Sequence, residues 1–163
     1  MQDFLNTLFG KILSTLVIAA VPVVELRGAI PWAYAQGLSW SVAMVAAIVG
    51  NMLPVPFILL FIRKIFLWMK DRSRLAGVVY RLEKRALAKA ESVYKYQLIG
   101  LCILVAIPLP GTGAWTGALI AALLDLRLRT AIPAIGIGVV VAAVLVSGMT
   151  YGFFHGMVQT LGG

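Results

Sequence analysis

Glu25 and Arg27 are the only charged side chains between Lys11 and Arg63, and both lie in an apolar stretch. An ionised side chain at the centre of a bilayer costs at least ~2.5–3.5 kcal/mol. Two of them one residue apart need partners or a purpose. One purpose is chemical: Arg27 holds an anionic group and Glu25 exchanges a proton. Burial favours the neutral acid at Glu25, whereas a close Arg27 favours the carboxylate. The sequence leaves that balance open. The other purpose is structural: the pair is satisfied by backbone carbonyls and by each other, and it braces a broken helix. Gly28 follows directly. A short helix starting near Gly28 would aim its free N–H groups at the same space, where their dipole favours an anion.

A second stretch of this kind lies downstream, from Pro108 to Gly117. Pro110, Gly111, Thr112 and Gly113 would reverse the chain, glycine supplying backbone freedom. Their exposed N–H groups would form a second anion cradle, and Thr112 and Thr116 add hydroxyl donors. The plainer alternative is a tight turn with no ligand. Adding 86 takes Ala20 to Ala106, Pro22 to Pro108, Leu38 to Leu124 and Gly50 to Gly136. This spacing points to an internal repeat of broken apolar segments, a pattern that marks the binding site of many transporters. Irregular backbone at membrane depth survives only against protein or a watery cavity, so the two turns are expected to face each other. Asn51, three residues before Pro54, either lines that cavity or satisfies carbonyls that the prolines leave free.

The elements that would hold these residues are helical. The chain has 163 residues, is 61% hydrophobic and 12% charged, and its mean hydropathy is +0.98. That composition belongs to an all-α integral membrane protein with a single bundle domain. Phe4, Leu5, Leu8, Phe9, Ile12, Leu13 and Leu16 recur at helical spacing, predicting a helix over 3–20. A short helix over 28–36 and a long one over 39–69 follow, the latter kinked at Pro54 and Pro56. A charged helix is expected over 71–96, then apolar helices over 98–107, 114–124 and 130–152. The domain thus divides into a first repeat of about 4–69, a basic amphipathic helix of about 70–97 and a second repeat of about 98–160.

Charge decides the topology. Ten of the 14 Lys and Arg residues lie between Arg63 and Lys95, which places the 63–97 segment in the cytoplasm. Anionic lipid headgroups are an added partner for it. If all four apolar segments crossed, Asp125–Arg129 would face outside. If each Pro/Gly-broken segment turned back at the midplane, Asp125–Arg129 would be cytoplasmic and the uncharged 37–41 connection outside. The positive-inside rule favours the second arrangement: an inverted repeat, each half a re-entrant helical hairpin plus one long transmembrane helix, with both termini outside. The acidic start of the chain, Met1-Gln-Asp3, lacks the basic region of a secretory signal.

Glu25-Leu-Arg27-Gly28-Ala-Ile-Pro31 and Pro108-Leu-Pro-Gly-Thr-Gly-Ala-Trp-Thr-Gly117, with a basic helix between them, resemble the small multidrug export protein family. That family looks like a compact relative of the DedA (SNARE-associated, VTT) membrane proteins. The DedA resemblance implies translocation of undecaprenyl phosphate or a similar anionic phosphate lipid between leaflets of a bacterial or archaeal inner membrane, coupled to protons. Arg27 and the Gly28 helix start would hold the phosphate, and Glu25 would carry the proton. The extra arginine of DedA proteins near the second tip is not matched within 108–117; Arg127 and Arg129 are the nearest. The alternative is proton-coupled export of small cationic drugs on Glu25. A third reading is a non-transporting membrane scaffold or assembly factor.

Other chemistry finds little support. Cys102 is the single cysteine and reads as a packing residue, and His155 has no ligand partner nearby in sequence. No phosphate-binding loop, nucleophile elbow, zinc spacing or dinucleotide fingerprint is present. No enzyme activity, cofactor, metal or nucleic-acid partner is expected; the coupling ion is H⁺ or Na⁺. Gly136, Gly138 and Gly148 would let the last helix pack closely against a second copy, as a homodimer.

Overall fold

The computed structural model describes residues 7–71, 97–109 and 111–161. All of the secondary structure described there is helical. The elements are α1 (Leu8–Ala20), α2 (Glu25–Ala35), α3 (Trp40–Met52), α4 (Val55–Asp71), α5 (Gln97–Ala106), α6 (Ala114–Leu123) and α7 (Leu128–Leu161). The expected charged helix over 71–96 lies outside the described residues, apart from Asp71 at the end of α4.

Two stretches are long and apolar enough to cross a bilayer: Trp40–Ile65, 26 residues, and Leu128–Gly152, 25 residues. The first stretch is broken rather than merely kinked. Pro54 and Pro56 supply no N–H to the preceding turn, and α3 stops at Met52 before α4 starts at Val55. Pro133, by contrast, sits within the first two turns of α7 without ending it.

The short helices α1 and α6 have 13 and 10 residues. At ~1.5 Å per residue neither reaches across a ~30 Å hydrocarbon core. Each instead forms half of a helical hairpin. In the first, α2 runs back along α1: Lys11 Nζ donates to the Gln36 carbonyl at 2.6 Å, and Trp32 Nε1 donates to Ser14 Oγ at 3.2 Å. In the second, α6 folds back on α5, and Gly117 packs against Val105 and Leu101.

The two halves make matching contacts. Gly50 on α3 lies so close to α1 that a Cβ would overlap the Leu16 carbonyl and meet Ala19. Gly138 on α7 does the same to the Cys102 carbonyl and Val105 on α5. Leu16 and Ala19 precede Cys102 and Val105 by 86 residues, but Gly50 precedes Gly138 by 88. The constant offset of 86 is therefore corrected: it holds from α1 to α5, and the equivalences after the second turn fall at 88. The helix ends agree. Gly37, at φ 73°, closes α2, and Asp125, at φ 51°, closes α6. The Leu38 and Leu126 N–H groups bond the Ala33 and Ala121 carbonyls in the same way.

Each hairpin is clasped by the long helix of the other half. The Tyr151 hydroxyl on α7 donates to the Leu38 carbonyl at 2.9 Å, and its ring meets Tyr34 edge-on. Arg63 on α4 pairs with Asp125 at 2.7 Å. Tyr151 is the 88-residue counterpart of Arg63, so one structural role is filled by two unlike chemistries. The core between the halves is built from small side chains. Ala29, Ala47, Ala114, Ala118, Ala131 and Ala143 are fully buried, which brings the backbones close. Gly138 against α5 and Gly136 near Met52 are likewise used inside the chain. Gly148, the third glycine of the expected packing face, meets nothing within 4 Å.

Candidate functional site

The turn between α1 and α2 is four residues, Val21–Val24, and the turn between α5 and α6 is 107–113. The two tips meet, and their chemistry interlocks. Glu25 is 3% exposed and begins α2 in a left-handed conformation, φ 50°. A non-glycine residue holds such a backbone at a cost of about 1–3 kcal/mol, so its surroundings must over-determine it. Its carboxylate reaches the start of α6, where the Trp115 N–H donates to Oε1 at 3.2 Å. The first N–H groups of a helix have no partner within it. Here a carboxylate from the other half supplies one, at the positive end of the helix dipole.

Gly113 makes this possible. Its φ of 132° suits glycine, and a Cβ would overlap the Glu25 carboxylate. Gly113 is also the 88-residue counterpart of Glu25. The contact therefore falls where the two halves meet.

Arg27 goes to the same tip by another route. Its guanidinium donates to the Leu109 carbonyl, to the Thr112 carbonyl at 2.6 Å and to Thr112 Oγ1 at 2.7 Å, with a longer bond of 3.5 Å to the Ile107 carbonyl. The planar fork of arginine suits such a set of acceptors. Thr112 Oγ1 also contacts the Ile107 and Leu109 carbonyls at 2.7 and 2.8 Å, and Thr116 Oγ1 donates to the Gly111 carbonyl at 3.0 Å. Both threonines thus serve the turn itself. Glu25 and Arg27 form no ion pair with each other; the ion pair among the described residues is Arg63–Asp125.

The expected site residues divide accordingly. Glu25, Arg27, Thr112 and Gly113 come together, and Gly111 and Thr116 support the tip. The N–H that meets the Glu25 carboxylate is that of Trp115, beyond the Pro110–Gly113 turn, and the Thr112 N–H is taken by the Leu109 carbonyl. Gly28 is corrected: α2 begins at Glu25, the Gly28 N–H bonds the Val24 carbonyl at 3.1 Å, and a Cβ there would strike the Val24 side chain. It has no free N–H for a ligand. Pro110 lies outside the described residues. Asn51 is fully buried beside the α3–α4 break, and neither its amide oxygen nor its nitrogen has a partner. It therefore does not satisfy the freed carbonyls.

Trp115 is central to the site. Besides its backbone bond to Glu25, its indole donates to the Ala20 carbonyl at 3.2 Å, tying α6 to the end of α1. Its ring also lines a groove of about 510 Å³ with Phe57, Ile58, Leu60, Phe61 and Lys64. The signal was its place within the glycine-rich motif. Trp32, Trp40 and Trp68 are exposed, as belt residues are.

A model of the family described as "Putative small multi-drug export protein" matches residues 25–145. No curated protein and no solved structure matches.

Proposed function

The chain belongs to the small multi-drug export protein family, and from that premise we propose that it exports small lipophilic cations across the membrane in exchange for protons carried by Glu25. The observation that carries this reading is a buried carboxylate at the junction of the two halves, bonded to Trp115, whose ring lines an aromatic groove. Phe57, Phe61 and Trp115 give the groove aromatic rings of the kind that bind cations, with Lys64 also on its wall, and the apolar walls suit a hydrocarbon body. Glu25 binds either the cation or a proton. Each exchange therefore moves one against the other.

Arg27 separates this reading from translocation of undecaprenyl phosphate. A phosphate-binding arginine needs its fork free, whereas this fork is spent on the carbonyls of the second tip. Those oxygens also offset its charge toward a cation at Glu25. The kinship with DedA proteins stays part of the proposal, resting on two facing tips with an acid and an arginine on the first.

The topology belongs to the same reading. Arg63, the first of the basic run, touches Asp125 in the α6–α7 connection, and Tyr151 touches Leu38 in the α2–α3 connection. With the positive-inside rule this supports two inverted re-entrant hairpins, residues 63–97 cytoplasmic and the termini outside, in an inner membrane.

The test is native mass spectrometry of the purified protein with tetraphenylphosphonium and with undecaprenyl phosphate. Tetraphenylphosphonium binding that is lost in Glu25→Gln, with no preference for the phosphate lipid, is the expected result. Tight lipid binding that vanishes in Arg27→Ala would return the chain to lipid translocation.

A further inference from the structure

A second groove, of about 470 Å³, runs between α5 and α7. Leu98, Ile99, Ile103, Pro133 and Ile137 line it, with Arg129 and Thr130 at the end where α7 begins. Its walls face outward: Ile99, Ile103 and Ile137 are each more than half exposed. From Arg129 to Ile137 the helix rises ~12 Å, so the groove descends from one bundle end into the apolar zone.

The charge at its mouth is unbalanced. Arg129 is exposed, and Arg127 stands immediately before α7. Asp125, the acidic residue of this connection, is already paired with Arg63. Both arginines sit at a helix N-terminus, where the backbone dipole is also positive, an arrangement that costs stability until an anion arrives. Arg63 lies at the same end of the bundle, with Lys64 beside it. Under the positive-inside rule this is the cytoplasmic face, where anionic lipids concentrate.

We propose that this groove is a binding site for an anionic phospholipid, one acyl chain lying along Ile99, Ile103 and Ile137 and the phosphate on Arg129. A zwitterionic lipid would bring its ammonium to a surface already rich in cations. The lipid is a resident partner at the α5–α7 face, separate from Glu25, so the assignment stands or falls independently of what the chain exports.

The experiment is native mass spectrometry of the whole protein with dioleoylphosphatidylglycerol, dioleoylphosphatidylcholine and glycerol phosphate. Wild type should retain the phosphatidylglycerol over the phosphatidylcholine. Arg129→Gln should weaken that retention about fivefold, the loss of one interfacial cation. Ile137→Trp, which fills the groove without touching the charge, should weaken it as well. Unchanged retention in Arg129→Gln would overturn the assignment. So would glycerol phosphate displacing the lipid while Ile137→Trp has no effect, which would mark a site for a free ion.

Discussion

The Glu25 carboxylate lies against Gly113, its own counterpart in the other half of the chain. Both adopt a left-handed backbone, φ 50° and 132°. One half contributes the acid, and the other contributes the absence of a side chain that lets the acid in.

Gly113→Ala should therefore expel Glu25 from the start of α6 and strain the backbone besides. A loss of about 1–3 kcal/mol is expected, read by thermal unfolding in detergent. Glu25→Ala in the same chain should recover part of it, with a coupling of roughly 0.5–3 kcal/mol in a double-mutant cycle. Additive losses would show that the two residues do not share a site.

Arg27→Ala should leave the Leu109 and Thr112 carbonyls without their donor. Amide exchange across 107–113 is expected to rise, while the ends of α7 stay protected. Arg27→Lys should restore little of that protection, because an ammonium lacks the planar fork. Full rescue by lysine would mean that charge alone matters.

The change of offset from 86 to 88 separates glycines that look alike. Gly50→Ala and Gly138→Ala should each destabilise, since both would drive a Cβ into a backbone carbonyl. Gly136→Ala should be mild, as its nearest neighbour is the flexible end of Met52 at 3.6 Å. Urea midpoints of the three variants in one detergent decide it. A severe Gly136→Ala with a neutral Gly138→Ala would restore the offset of 86.

Arg63 and Asp125 test the topology more than the stability. Their side chains are 38% and 70% exposed, so breaking the pair should cost only about 0–1 kcal/mol. In a Cys102→Ser background, Asp125→Cys should react with an impermeant thiol reagent from the cytoplasmic side and Gly37→Cys from the opposite side. Labelling of both from one side would rule out the inverted arrangement.

Much of this was legible along the chain. Apolar composition, helical spacing and proline positions located most of the helices within a few residues, but α3 and α4 read as one kinked helix and α7 runs to Leu161, well past the expected end at 152. Glu25, Arg27 and the Gly111–Gly113 turn stood out because charge and glycine are costly where they sit. The repeat was visible too, but its register was not. Small apolar residues recur so often in both halves that offsets of 86 and 88 each find partners, and only the packing of Gly50 and Gly138 chooses between them.

What the sequence by itself determined was which groups could not stay unpaired in an apolar surrounding: a carboxylate, a guanidinium and the bare N–H and C=O groups of two broken helices. Tertiary structure alone decided who pairs with whom. Glu25 and Arg27 are neighbours along the chain, yet they do not pair with each other. The opposing tip offers each a better match: the N–H of Trp115 at the start of α6 for the acid, and the carbonyls of Leu109 and Thr112 for the base. A buried charge takes the partner with the best geometry, and geometry between residues more than 80 positions apart exists only once the chain has folded.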